Sequence, residues 1–346
     1  MSLPVRRRAA AVLTALALGV LSACGTTEVP ESAEGAPSAA ALSDSCAADT
    51  TATATGPVTV TDHLGRTVEL DQPAERVAVL EWQQTEDLLS LCVAPVAVAD
   101  VDGFTTWDTA ETLPEGTADV GTRQEPTLDA LAAADPDLII VEASGADDPV
   151  VEQLESLGVP VLATRGADAS DPLGHMRDLF GLIAETTGRT ERAEVVLAEL
   201  DQHLAEARDE IAAADLPTTD FVYFDGWVEG GNVTLRPFGE GALYSAIGEE
   251  LGLTPAWTGE VDPVYGLGQT DIEGLIGVGE ATFFYTGTDD PAGSYLEELE
   301  DNAIWTSLPA VEEGRAHAFP AGIWTFGGPR SAQQAIDAYV TALTDA

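Results

Sequence analysis

The chain is 346 residues long, 45% hydrophobic, with a formal charge of −46 that sets 60 acidic residues against 14 arginines and no lysine. A field of that sign repels phosphate, which excludes nucleic acid as a partner. The length suits two domains of ordinary size.

Arg6, Arg7 and Arg8 precede an apolar run, Ala9 to Leu21, that ends in Leu21-Ser22-Ala23-Cys24-Gly25. A basic start, a short apolar core and small residues before a cut describe an export signal over residues 1–23, too short to remain as a spanning helix. The segment resembles the bacterial lipobox, which implies cleavage before Cys24 and acylation of its thiol; an ordinary signal with a coincidental cysteine is the alternative. Acyl chains would anchor the protein to the outer face of the cytoplasmic membrane without a transmembrane helix. Residues 24–55 are rich in Ala, Ser, Thr, Glu, Gly and Pro without periodicity and read as a disordered tether. Cys46 and Cys92 are the cysteines left on the exported domain. An even pair outside the cytosol favours a disulfide; the other reading is one buried thiol and one loop thiol.

Residues 56–170 alternate strand-like and helical runs. Val58 to Asp62 and Arg66 to Leu70 read as a hairpin. Short apolar strands are predicted at Arg76–Leu80, Val96–Asp100, Asp137–Val141 and Pro160–Ala163, with helices at Thr85–Leu91, Thr127–Ala134 and Asp148–Leu157. Such alternation points to a mainly parallel sheet with helices on both faces. Residues 171–214 form a linking helical segment broken at Gly188. Beyond Thr190, an N-cap, Ala193, Val196, Leu197, Leu200, Leu204, Ala207 and Ile211 recur at helical steps, so a rod of roughly 24 residues, about 36 Å long, is expected. Residues 215–346 repeat the pattern, with a strand at Phe221–Phe224, helices at Ala242–Leu251 and Ile272–Ile276, and a strand at Thr282–Tyr285. Leu128-Asp129-Ala130-Leu131 and Leu138-Ile139-Ile140 match Ile272-Glu273-Gly274-Leu275 and Thr282-Phe283-Phe284 at a constant offset of 144. The expected fold is α/β: two Rossmann-like lobes joined by one long helix, with a ligand cleft between them. Open α/β sheets bind ligands beyond the carboxyl ends of their strands. Trp82, Phe104, Trp107, Trp227, Trp257, Tyr265, Trp324 and Phe326 fall at or near such ends, some as cleft residues and some as packing, while Trp305 reads as core.

At these residues the chain resembles the ferric-siderophore-binding lipoproteins of ABC importers, whose lobes are joined by a helical backbone. Arg76-Val77-Ala78-Val79-Leu80-Glu81-Trp82 followed by Leu88-Leu89-Ser90-Leu91 is similar to the family's first strand and helix. Val120-Gly121-Thr122-Arg123-Gln124-Glu125-Pro126-Thr127-Leu128-Asp129 with Pro136 to Ile140 is similar to its most recognisable motif, and Trp305–Gly314 with Ile323-Trp324-Thr325-Phe326-Gly327-Gly328 to its carboxy-terminal signature. The resemblance implies a monomeric receptor that captures a ferric siderophore, hydroxamate type favoured, and delivers it to a permease with its ATPase. It implies ligand contact by Arg123, Trp107, Trp257, Tyr265 and Trp324, to which the strand-end aromatics Trp82 and Trp227 are added, and permease docking through Asp148 and Glu273. One position departs: Glu142-Ala143-Ser144-Gly145 stands where an aromatic is expected.

The residue types suit that ligand. A hexadentate siderophore already surrounds Fe³⁺ with hard oxygens, so neither a protein metal ligand nor a cofactor is required. An arginine fork can donate to the chelating oxygens and flat aromatics can cover the skeleton; a structural ion pair is the other reading of Arg123. Of the rival functions, a metal-ion receptor would need clustered ligands, and His63, His175, His203 and His317 share no ligand spacing. Haem or cobalamin capture would use the same fold. An exported α/β hydrolase would need a Gly-x-Ser-x-Gly elbow that the sequence lacks.

Overall fold

A computed structural model describes residues 42–145, 147–289 and 294–344; the leader, Cys24 and the first part of the tether lie outside the described residues. The first lobe comprises α1 (Asp44–Ala47), β1 (Val58–Thr61), β2 (Thr67–Leu70), β3 (Val77–Val79), α2 (Trp82–Ser90), β4 (Ala97–Val98), α3 (Val101–Trp107), β5 (Ala118–Asp119), α4 (Leu128–Ala134), β6 (Leu138–Glu142), α5 (Pro149–Glu155) and β7 (Val161–Thr164). β1 and β2 form the antiparallel hairpin. The other strands make a parallel sheet in the order β5-β4-β3-β6-β7. Its central strands are buried along their apolar runs, as expected when helices cover both faces of a parallel sheet.

Helices α6 (Pro172–Thr186) and α7 (Thr190–Ala213) follow, separated at Gly188, which takes a positive φ of 69°. The second lobe holds β8 (Asp220–Glu229), β9 (Asn232–Phe238), α8 (Leu243–Glu250), β10 (Thr254–Pro255), a 3₁₀ turn at Ile272–Val278, β11 (Thr282–Tyr285), α9 (Tyr295–Glu300), a 3₁₀ turn at Trp305–Ser307, α10 (Pro309–Glu312), β12 (Ala316–Ala318) and α11 (Pro329–Thr344). Its parallel strands run β10-β8-β11-β12, and β9 returns antiparallel along β8.

The internal repeat is a repeat of register. Val77 pairs with Leu138 and Val79 with Ile140 in the first sheet; 144 residues on, Phe221 pairs with Thr282 and Tyr223 with Phe284. The same offset carries α4 onto Ile272–Val278. There the predicted helix is corrected: it is 3₁₀. Ala130 and Ala133 of α4 become Gly274 and Gly277, and two glycines in seven residues remove the propensity that holds α4 in α geometry.

α7 is buried in two cores at once. Ala193 and Val196 pack into the first-lobe core with Leu179, Phe180 and Ile183 of α6, whereas Leu200, Leu204, Ala207 and Ile211 pack into the second with Tyr223, Phe284 and Tyr339. The described residues fall within one compact unit, so α7 is a spine shared by the lobes rather than a strut between separate bodies. A second tie comes from Glu86 on α2. Its carboxylate accepts from the backbone N–H groups of Gly328 (2.9 Å), Arg330 (3.0 Å) and Ser331 (2.9 Å) and from the Ser331 hydroxyl (2.7 Å). It thus caps the amino terminus of α11 from across the lobe boundary. Gly327 and Gly328 permit that approach, since a Cβ at either would lie within 2.7 Å and 3.2 Å of Glu86.

The tether is shorter than expected. From Leu42 the chain is held against the first lobe: Cys46 is buried and disulfide-bonded to Cys92, with Cα atoms 5.3 Å apart. Buried Arg189 donates to the Leu91 carbonyl (2.9 Å) and Thr53 Oγ1 (2.9 Å) and pairs with Asp49; Arg192 donates to the Ser90 carbonyl (3.1 Å) and Ser45 Oγ (3.1 Å). Polar composition concealed this order because crosslink and arginines, not apolar burial, supply the hold.

Candidate functional site

Loops at the carboxyl ends of both sheets converge on a cleft. From the first lobe, Glu81 follows β3 and caps α2, whose first residue is Trp82. Arg123 sits in the turn after β5, closed by the Gly121–Pro126 bridge, where Gly121 has φ of 101°. Its guanidinium pairs with Glu81 at 2.5 Å and lies 3.8 Å above the Trp82 ring. Trp324, in the loop before α11, meets Trp82 edge to face at 4.7 Å and stands 5.6 Å from the same guanidinium. Trp82 is buried; Gly103 of α3 fits against its ring so closely that a Cβ there would come within 2.3 Å.

The second lobe contributes a second arginine. β8 runs on past Phe224 and turns back through Gly230-Gly231, both at positive φ, in a two-residue hairpin loop closed by Glu229 and Asn232. The register sets Asp225 opposite Arg236. Arg236 donates bidentately to Asp225, with Nε to Oδ1 at 2.9 Å, and its guanidinium is 5.3 Å from the Phe326 ring. Burial pushes the Asp225 carboxyl above the ordinary aspartate range while the Arg236 bonds draw it back down. Phe326 connects Trp324 (5.4 Å) to Tyr265 (5.6 Å). The Tyr265 hydroxyl crosses between the lobes and donates to Glu142 Oε1 at 2.7 Å. Burial raises the Glu142 carboxyl, with this hydrogen bond working in the opposite direction.

Two cavities result. One of about 510 Å³ is walled by Trp82, Trp107, Arg123, Trp227, Arg236 and Trp324, together with Thr286, Tyr295 and neighbouring loop atoms. The other, about 400 Å³, is walled by Glu81, Gln83, Gln124, Glu142, Tyr265 and Phe326, and shares Arg123, Arg236 and Trp324 with the first. Trp107 and Trp227 are 44% and 40% exposed, so each presents a broad apolar face to the larger chamber. A roomier cavity, about 940 Å³, lies apart between β12 and α11; among the described residues His317 and Asp337 are its ionisable walls.

The geometry thus gathers Arg123, Trp82, Trp107, Trp227, Tyr265 and Trp324 at one place. Trp257 is corrected: it lines neither chamber. Its ring packs in the second-lobe core, where added Cβ atoms at Gly239, Gly259 and Gly268 would come within 2.9, 2.4 and 2.8 Å of it. Phe104 is likewise core, beneath Trp82. Arg236, Glu81, Asp225 and Glu142 were not foreseen as site residues. The available signal for the first was the Gly-Gly turn between two apolar runs, which fixes a hairpin and its register. Asp148 caps α5, accepting from Val150 N (3.1 Å), Ser144 N (3.0 Å) and Ser144 Oγ (2.8 Å), bonds that hold its carboxyl below the usual range. Glu273 is exposed in the first turn of Ile272–Val278. His63 and His175 lie with ring centroids 5.1 Å apart, but among the described residues no three His, Cys, Asp or Glu side chains form a metal-holding group. No helix among the described residues is long and apolar enough to cross a membrane.

Residues 77–257, more than half of the chain, match the family model described as periplasmic binding protein. The chain belongs to that family. This periplasmic binding protein is 26% identical over 260 residues to the iron(3+)-hydroxamate-binding protein FhuD of Escherichia coli, covering 74% of this chain and 83% of that one. It is 24% identical over 297 residues to the probable siderophore-binding lipoprotein YfiY of Bacillus subtilis, covering 81% and 85%. Among solved structures, FhuD of Vibrio cholerae bound to Fe³⁺-Desferal superposes with a TM-score of 0.65 at 22% identity, over 78% of this chain and 97% of that one. FeuA of B. subtilis with ferri-bacillibactin gives 0.65 at 20%, over 83% and 98%. These likenesses agree with the two lobes and spine of this binding protein.

Proposed function

We propose that this protein captures a ferric siderophore, of the hydroxamate type, in the interlobe cleft and hands it to an ABC permease and its ATPase for iron uptake. The observation that carries the reading is the stack of Arg123 on Trp82 and Trp324, facing Arg236 across the larger chamber. A chelated ferric ion offers oxygens rich in charge and no open coordination site, so the protein needs fixed donors and apolar walls rather than metal ligands. Charge favours hydroxamate. A ferric trihydroxamate core is neutral, whereas a tris-catecholate complex carries three negative charges; Glu81, Glu142 and Asp225 outnumber the two arginines in this cleft, which disfavours the anion. The protein is read as a receptor without turnover, lipid-anchored through Cys24 and monomeric, that docks its permease through Asp148 and Glu273.

Titration of the purified protein with ferrioxamine, ferrichrome, ferric citrate, ferric catecholates, haem and cobalamin, followed by tryptophan quenching, tests it. Saturable quenching is expected with ferric hydroxamates; binding only of haem or cobalamin would replace the reading.

A further inference from the structure

The smaller chamber holds an acid that makes no ion pair of its own among the described residues, although the Arg123 charge acts on it. Arg123 is committed to Glu81 and Arg236 to Asp225, while Glu142 makes no ion pair among the described residues. Among the described residues, the one hydrogen bond its carboxylate accepts comes from a neutral phenol, Tyr265. Its Oε2 faces Gly166, the residue whose missing side chain leaves room there: a Cβ would fall 2.5 Å from Oε2 and 2.2 Å from the Tyr265 oxygen. Glu142 stands at the end of β6, a rigid buried strand, so its position is fixed. Around it are the Phe326 and Tyr265 rings and the Gln83 and Gln124 amides, whose π faces and carbonyl oxygens can face a cation beside the carboxylate.

We infer that Glu142 makes the smaller chamber a subsite for a cationic group, a primary ammonium carried on an aliphatic arm of the ferric complex whose core occupies the larger chamber. Arg123, Arg236 and Trp324 line both chambers, so an arm leaving the core along Trp324 reaches Glu142 over an aromatic surface. Three carboxylates facing two guanidiniums leave one negative charge, which one ammonium neutralises. Burial that raises the Glu142 carboxyl is the cost a bound ammonium would relieve. This inference rests on the hydroxamate reading above and adds the charge of the ligand's arm to it.

The test uses two ferric trihydroxamates that differ only at the arm: ferrioxamine B, with a free ammonium, and its N-acetylated, neutral analogue. Affinities are read by tryptophan quenching for the wild type, Glu142→Gln and Tyr265→Phe. The wild type is expected to prefer the cationic complex by about ten-fold or more. Glu142→Gln, which preserves shape and the acceptor for Tyr265, should lose that preference through weaker binding of the cationic complex; Tyr265→Phe should retain it. Equal wild-type affinities, a preference that survives in Glu142→Gln, or an equal loss for both complexes in that variant would overturn the subsite and leave the hydroxamate reading standing. Failure of both complexes to bind would overturn the two together.

Discussion

Arg123 is held ready by its neighbours. Its guanidinium is clamped by Glu81 and laid on Trp82, so little side-chain freedom remains to be lost when a ligand arrives, and binding is strengthened by that preorganisation. Replacing it with alanine removes hydrogen bonds to charged oxygens, each worth about 1.5–3 kcal/mol, and leaves Glu81 facing the ligand uncompensated. Arg123→Ala should therefore weaken ferric-hydroxamate binding about 10- to 100-fold by quenching titration, and unchanged affinity would remove Arg123 from the site. Its place in the cleft was legible in the sequence because the turn that carries it has a recognisable spacing. Arg236 was not, because its place depends on the hairpin register, which composition does not reveal. Glu142 was visible only as an anomaly, an acid where an aromatic was expected. Its partner, Tyr265, lies 123 residues away, a contact that no local pattern encodes.

At the scale of elements, the junction of α2 and α11 combines a strong bond with a buried burden. Glu86 caps α11, but the adjacent Asp87 is fully buried with both carboxyl oxygens unpartnered, and Asp108 packs close by. Burial, and then the charge of Glu86, push the Asp87 and Asp108 carboxyls well above the ordinary aspartate value of 3.8. A group that binds its proton more tightly when folded contributes stability below its unfolded value and loses it as pH rises toward the folded one. The fold should accordingly lose stability between pH 4 and neutrality through these two residues. Asp87→Asn should raise Tm at pH 8 by about 2–4 °C per kcal/mol recovered and change it little at pH 4; thermal scans showing no gain at pH 8 would contradict the assignment. At the opposite end of α2, the Cys46–Cys92 bridge closes a separation of 46 residues. In the chain-entropy model, replacing both cysteines with serine should cost about 4 kcal/mol, measurable by denaturant unfolding. A two-serine variant of unchanged stability would show that Arg189 and Arg192 hold the amino-terminal segment unaided. The position of α2 and of the central parallel strands on either side of α7 was readable from apolar periodicity, whereas α3, β9, α9 and α11 were not among the expected elements. The 3₁₀ geometry of Ile272–Val278 and the order of residues 42–55 were not readable either, since one turns on two glycines and the other on a distant crosslink.

Across the whole molecule, the two sheets share one register plan at a constant offset, and α7 is bedded in both cores. Any motion of one lobe against the other must therefore deform or roll upon a shared spine. Within the cleft the lobes meet directly through Tyr265 with Glu142 and Trp82 with Trp324, and outside it through Glu86 with α11 and Thr109 with the Gly322 carbonyl. Four tryptophans line the larger chamber, and on the proposed function a ferric complex seated there would lie against them. Tryptophan fluorescence of the intact protein during titration with ferric trihydroxamate reads this arrangement most directly. Deep, saturable quenching, much reduced when Arg123 and Trp324 are both replaced by alanine, is the predicted result; a wild type whose fluorescence does not respond, or a double variant that binds as tightly, would contradict it.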